Sequence, residues 1–116
     1  VVEEATDDAT LRALYREASV VSMATAHEGF GFPALEALAA GAPLVASSHG
    51  SLPELTGDAA SAVVEPGDEA ALAEALLATL LDPTARERAA NAGPPRAATF
   101  DWDRCARETL AALEGA

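Results

Sequence analysis

The stretch HEGFGFPALEALAAGAPLVAS, residues 27–47, decides how this chain reads. Two glutamates, Glu28 and Glu36, enclose seven residues that include two glycines, two phenylalanines and Pro33. Pro33 suits the first turn of a helix, where its missing N–H would have no partner anyway. An Ala/Leu run follows, and Gly41 supplies a natural left-handed stop. Leu44–Ser47 then reads as a short buried strand.

Working outward, Thr6 or Asp7 caps a first helix to about Ala18, with Leu11, Leu14, Tyr15 and Ala18 on one face. Val20–Met23 is a buried strand, and Val1-Val2 is the end of another. After Ser47 comes a loop with one helical turn around Pro53-Glu54-Leu55. Ala62–Val64 is a third strand, stopped at Glu65-Pro66-Gly67. Asp68 caps a helix to Leu81 that buries Leu72, Ala75, Leu76, Thr79 and Leu80. Asp82-Pro83 starts another, which Gly93 ends, and Pro94-Pro95 is a rigid break. Asp101 caps a last helix with an apolar stripe of Trp102, Cys105, Ala106, Thr109, Leu110 and Leu113. Helices alternating with strands imply βαβ units and a parallel sheet. The expected fold is α/β: the second half of a Rossmann-like, three-layer α/β/α domain with a short parallel sheet, residues 1–116 being one partial domain.

Composition narrows the function. The net charge of −12 and the complete absence of Lys exclude nucleic acid and anionic membrane as natural partners. No uninterrupted apolar run of about twenty residues occurs, so a soluble, cytoplasmic chain is expected. One cysteine, Cys105, allows no internal disulfide and no Cys-based zinc site. All seven basic residues are Arg, and none lies between Arg16 and Arg86.

Parallel sheets bind ligands at the carboxyl ends of their strands, where the 24–32 loop emerges. Its glycines let backbone N–H groups approach a ligand closely, and the helix mouth favours an anion. Glu36 can accept hydrogen bonds from the vicinal hydroxyls of a ribose, and Glu28 from those of a sugar ring. The layout suits a nucleotide sugar. A plainer reading stands beside it: the helix dipole favours an acid near a helix start, and glycines favour turns.

The ordered series Glu28-Gly-Phe-Gly-Phe-Pro-Ala-Leu-Glu36-Ala-Leu-Ala-Ala-Gly41, Ser51-Leu52-Pro53-Glu54-Leu55, Gly57-Asp58-Ala59-Ala60, Pro66-Gly67-Asp68 and Phe100-Asp101-Trp102 resembles the donor domain of family 4 retaining glycosyltransferases of the GT-B fold. The resemblance implies that Glu28 contacts the transferred sugar and acts in catalysis. It implies that Glu36 holds the ribose, that amides of Gly29, Phe30 and Gly31 lie near the sugar, and that those of Ala34 and Leu35 meet the phosphates. It implies no metal or other cofactor. The chemistry implied is transfer of a hexosyl group from a nucleotide sugar to a hydroxyl of a glycan, lipid or small molecule. Family members have an N-terminal domain and a first half of the donor domain that find no counterpart here, including an Arg and a Lys for the pyrophosphate. The Arg-free interval replaces neither. The expectation is therefore a carboxy-terminal fragment, inactive alone, whose partner is the rest of the same enzyme.

Other candidates carry less. His27 lacks a second His at helical spacing for zinc. Ser47-Ser48-His49 imitates a nucleophile and base, but loop neighbours seldom face each other. Asp101-Trp102-Asp103 imitates a metal-binding Asp-x-Asp, against a capping Asp101 with Trp102 filling the helix base. Glu54 braces the loop around the donor, and Cys105 belongs to the core. The competing function is a non-catalytic module that pairs or oligomerises, as a homodimer, through an unpaired sheet edge. A glycosidase using Glu28 and Glu36 is a third.

Overall fold

The computed structural model describes residues 7–116. The suggested strand at Val1-Val2 lies outside the described residues. In chain order the elements are α1 (Asp8–Glu17), β1 (Val21–Met23), α2 (Phe32–Ala39), β2 (Leu44–Ser47), α3 (Leu52–Thr56), a 3₁₀ turn (Gly57–Ala59), β3 (Ala62–Val64), α4 (Glu69–Leu81), α5 (Ala85–Ala97) and α6 (Trp102–Glu114).

The three strands form one parallel sheet in the order β1-β2-β3, with Val21 opposite Leu44 and Val45 opposite Ala62. Every residue of β2 is buried. Side chains alternate along a strand, so both faces of β2 are covered. Leu44 and Ala46 join the main apolar cluster with Ala34, Ala37 and Leu38 of α2 and Leu52 and Leu55 of α3. Val45 points the other way, toward the side where α4 packs on β3 and β2. The α/β fold with a short parallel sheet is as the sequence implies.

The capping residues act locally as expected. Asp7 accepts the Thr10 N–H at 2.7 Å, Asp68 that of Ala71 at 2.9 Å and Asp101 that of Arg104 at 2.7 Å. Helix α2 stops where Gly41, at φ 70°, takes the left-handed conformation.

Strand β1, expected to be buried, is half-buried with Ser22 exposed, because it lies at the edge of the sheet. Three further expectations need correction. Helix α5 does not end at Gly93; it continues through Pro94 and Pro95 to Ala97. Gly93 serves close packing on α2 instead. The prolines withdraw the N–H partners of the Ala90 and Asn91 carbonyls, and both residues are exposed, so water can serve those groups. Second, Leu80 is 53% exposed. Helix α4 is apolar nearly all round, so its periodicity does not select a face. Third, the stripe of α6 is not core: Asp101–Ala116 is exposed throughout, Trp102 at 77%, and Cys105 with it. The amphipathic pattern is genuine, but its apolar side meets no described surface.

Candidate functional site

The loop between β1 and α2 leaves the carboxyl edge of the sheet and is braced by the loop after β2. Ser47 Oγ donates to the Thr25 carbonyl and Ser51 Oγ to the Phe30 carbonyl, each at 2.6 Å. Between them, Gly50 (φ 66°) lies against Glu28 so closely that a Cβ would sit 2.9 Å from the Glu28 carbonyl oxygen. Gly31 (φ 96°) caps α2 and is buried, with room for a Cβ denied by Leu52 at 2.9 Å. These contacts hold the backbone around Glu28 in one conformation. Glu28 itself is half-buried, while Gly29 and Phe30 are exposed at the loop tip. Phe30 packs against Phe32 with ring centroids 4.7 Å apart and meets Phe100 edge-on at 6.3 Å.

At the helix mouth lie the two amides expected to face phosphate. The Leu35 N–H donates to the Gly31 carbonyl at 3.1 Å, and Ala34 is fully buried. The exposed residues there include Gly29, Phe30 and Phe32. Pro33 falls in the first turn, as its ring geometry favours.

Glu36 is the fifth residue of α2, beyond the first turn, so the helix dipole alone does not account for it. It is exposed and faces a groove of about 620 Å³ between α1 and α2, lined also by Asp8, Arg12, Tyr15 and Arg16. Burial, and then the neighbouring Glu36 carboxylate, push the Tyr15 phenol up to about 12. Glu28 and Glu36 thus occupy different surroundings: Glu28 is held by the braced loop, and Glu36 opens into a groove on the α1 side.

The same groove brings two cations near the Arg-free interval. Arg12 and Arg16 lie before it in sequence but beside Glu36 in space. They follow Asp8 at successive four-residue spacings, so one face of α1 presents all three. The sequence signal was that spacing together with Tyr15, which anchors α1 against the core.

At the carboxyl ends of β2 and β3, Ser48 and His49 do meet, at 3.4 Å from Oγ to Nδ1. Ser48 Oγ donates to Glu65 Oε1 at 2.8 Å, however, so its proton is not held by the imidazole. His49 Nδ1 is 3.7 Å from Glu65 Oε2. The parallel register that pairs Ser47 with Val64 makes Ser48 and Glu65 the next neighbours along the sheet. Glu54 braces through its main chain: Arg96 donates to the carbonyls of Glu54 and Leu55 and stacks over Phe100 at 5.2 Å. Asp101 spends its carboxylate on the α6 cap. Its neighbour Trp102 does not fill the helix base but stands exposed. His27 is exposed, and no group of three His, Cys, Asp or Glu suited to a metal occurs among the described residues. No described helix is long and apolar enough to cross a membrane.

The family described as "Glycosyl transferases group 1" matches residues 4–96. The chain belongs to the group 1 glycosyl transferases. Among group 1 and related transferases it is similar to the O-antigen chain mannosyltransferase B of Escherichia coli, 39% identical over 107 residues. That match covers 92% of this chain and 28% of the relative. The glycogen synthase of Mycobacterium tuberculosis (strain H37Rv) is 40% identical over 115 residues, covering 94% of this chain and 28% of the relative. The sucrose-phosphate synthase of Thermosynechococcus elongatus superposes with a TM-score of 0.79 at 29% identity, over 95% of this chain and 28% of that one. The chain therefore spans between a quarter and a third of the length of these relatives.

Proposed function

We propose that this chain is the donor-binding part of a retaining glycosyltransferase of family 4 that moves a hexosyl group from a nucleotide sugar to an acceptor hydroxyl. One observation carries the reading: a rigidly braced Gly-rich loop holds Glu28, while Glu36 opens into a groove with Tyr15 and two arginines. Glu36 accepts hydrogen bonds from the ribose hydroxyls, and Glu28 from those of the transferred sugar. The diphosphate lies between them, over the exposed loop residues Gly29, Phe30 and Phe32, with Arg12 and Arg16 adding positive charge on the ribose side. The family membership supports a sugar-transfer role, and the relatives named above are themselves transferases or synthases of sugar compounds.

The step needs no protein nucleophile. The bond from the anomeric carbon to the leaving phosphate oxygen breaks as the acceptor oxygen bonds to that carbon on the same face. The acceptor proton passes to the departing phosphate, and positive charge developing on the ring is stabilised by the Glu28 carboxylate. No metal and no other cofactor enters this scheme, and the expected location is the cytoplasm.

The remaining two thirds or more of such an enzyme supplies the acceptor site, so this chain alone is expected to transfer nothing. Two surfaces are suited to joining that remainder: the outer edge of β1 and the exposed stripe of α6, Trp102, Leu110 and Leu113. The same surfaces favour the second reading, in which copies of this chain pair with each other. Sedimentation of the isolated chain separates the two, since a stable dimer would favour pairing and a monomer the joining of a longer chain.

The test is kinetic, in the full-length polypeptide that carries this chain. Glu36→Ala should raise KM for the donor about 10- to 100-fold, as expected for losing a charged hydrogen-bond acceptor. Glu28→Gln should act mainly on kcat. Unchanged donor KM and kcat in both variants would overturn the reading.

A further inference from the structure

We infer that Ser47 and Ser51 are positioning residues for Glu28: their hydroxyls grip the loop that carries it at two carbonyls, Thr25 before the glutamate and Phe30 after it. The inference rests on the reading of Glu28 as the contact to the transferred sugar and adds two residues to it.

Both hydroxyls serve the loop rather than their own element. Ser51 is the N-cap of α3, where a serine ordinarily accepts a hydrogen bond from its own helix. It makes no such cap bond. Its Oγ instead donates to the Phe30 carbonyl at 2.6 Å. Ser47 closes β2, one residue past Ala46, the last β2 residue paired with β1. It is 1% exposed, and its Oγ donates to the Thr25 carbonyl at 2.6 Å. A side chain thus carries the contact between the two strands two residues beyond Met23, and that bond sets where the loop leaves the sheet. Gly50, between the two serines, packs against the Glu28 main chain, so all three contacts fall on residues 25–30. Ser48 differs: its Oγ donates to Glu65 Oε1 and not to the loop. A loop with glycines at 29 and 31 has many backbone conformations open to it, and selecting one when the sugar binds costs free energy. Two hydroxyl-to-carbonyl bonds make that selection during folding, before the sugar arrives.

A merely structural serine would lower activity whatever stands at position 28, whereas a positioning serine acts only through the Glu28 carboxylate. The experiment is kcat for donor cleavage by the full-length polypeptide, with UDP-glucose, GDP-mannose and ADP-glucose as probes and the fastest-cleaved one used throughout. Ser47 is buried in the sheet, so the half-buried Ser51 carries the test. Ser51→Ala should lower kcat by about tenfold, as for a catalytic group displaced by a fraction of an ångström. Ser51→Thr, which keeps the hydroxyl, should stay within about threefold of wild type. Ser48→Ala should leave kcat near the wild-type value. In a Glu28→Gln background Ser51→Ala should be nearly silent, because the group being positioned is gone. Ser47→Ala should show the same dependence on Glu28. A wild-type kcat for Ser51→Ala, a loss as large in the Glu28→Gln background, or an equal loss in Ser48→Ala would overturn the inference while leaving Glu28 as the sugar contact. If Glu28→Gln itself left kcat unchanged, the sugar-contact reading would fall and this inference with it.

Discussion

A Cβ at Gly93 would sit 2.4 Å from the carbonyl oxygen of Leu38. No atom pair of that kind survives without movement, so α5 crosses α2 with main chain against main chain at this point. Leu38 is buried in the core, and Glu36, two residues earlier on the same helix, faces the groove with α1. The crossing therefore fixes the helix on which the proposed ribose contact stands. Gly93→Ala should cost about 1–3 kcal/mol of stability, the usual penalty for overpacking a tight contact. Urea unfolding monitored by circular dichroism measures it, and an unchanged midpoint would contradict the contact.

Arg86 closes the far end of α1. Its guanidinium donates to the carbonyls of Arg16 and Ala18 at 2.7 Å each and of Glu17 at 3.3 Å. These are carbonyls a helix leaves unpaired at its C-terminus, and a cation there also suits the dipole. Arg86→Ala should cost about 1–2 kcal/mol, since the carbonyls are exposed and water replaces part of the loss. Faster amide exchange confined to α1 is the expected signature. Donor affinity should fall with it, because Arg12, Tyr15 and Arg16 are carried by that helix.

Gly50 tests the brace on Glu28. At φ 66° and with a Cβ 2.9 Å from the Glu28 carbonyl, alanine there is strained both in its own backbone and against the loop it supports. Gly50→Ala in the full-length polypeptide should lower kcat by roughly tenfold or more, in line with the sensitivity of transfer to misplacement on the scale of an ångström. Gly67 is the control. Its φ is 84°, but nothing lies within 4 Å of a Cβ there, so Gly67→Ala should cost stability alone.

The Tyr15 phenol makes a pH prediction. Its folded value is raised to about 12 from the ordinary 10.0, so the folded chain holds this proton more tightly than the unfolded chain. The corresponding stability is fully present below pH 10 and is lost as pH rises from 10 toward 12. Tyr15→Phe should flatten that part of the alkaline stability profile. Thermal melts across pH 9–12 check it, and parallel profiles for the two proteins would count against it.

Where local chemistry decided the structure, the sequence was a good guide. Asp68 and Asp101 cap their helices, Gly41 ends α2, and β2 and β3 occupy the four and three residues read for them. Tertiary context decided the rest. Pro94-Pro95 looks like a break, yet α5 continues through both prolines to Ala97, with Gly93 packed against Leu38. The apolar stripe of α6 was legible, but what it faces cannot be read from its own periodicity. The placement of Arg12 and Arg16 was likewise not legible. A scan along the chain places them before the site, and only the packing of α1 on α2 brings them next to Glu36.

The central claim is that one ligand spans from the braced loop at Glu28 to the α1–α2 groove at Glu36. A crystal structure of the full-length polypeptide with a bound nucleoside diphosphate tests it most directly. The account predicts ribose hydroxyls within hydrogen-bond distance of the Glu36 carboxylate, about 2.5–3.0 Å, and the diphosphate over the backbone of Gly29, Phe30 and Phe32. A nucleotide lodged elsewhere, with Glu28 and Glu36 both facing bulk water, would contradict it.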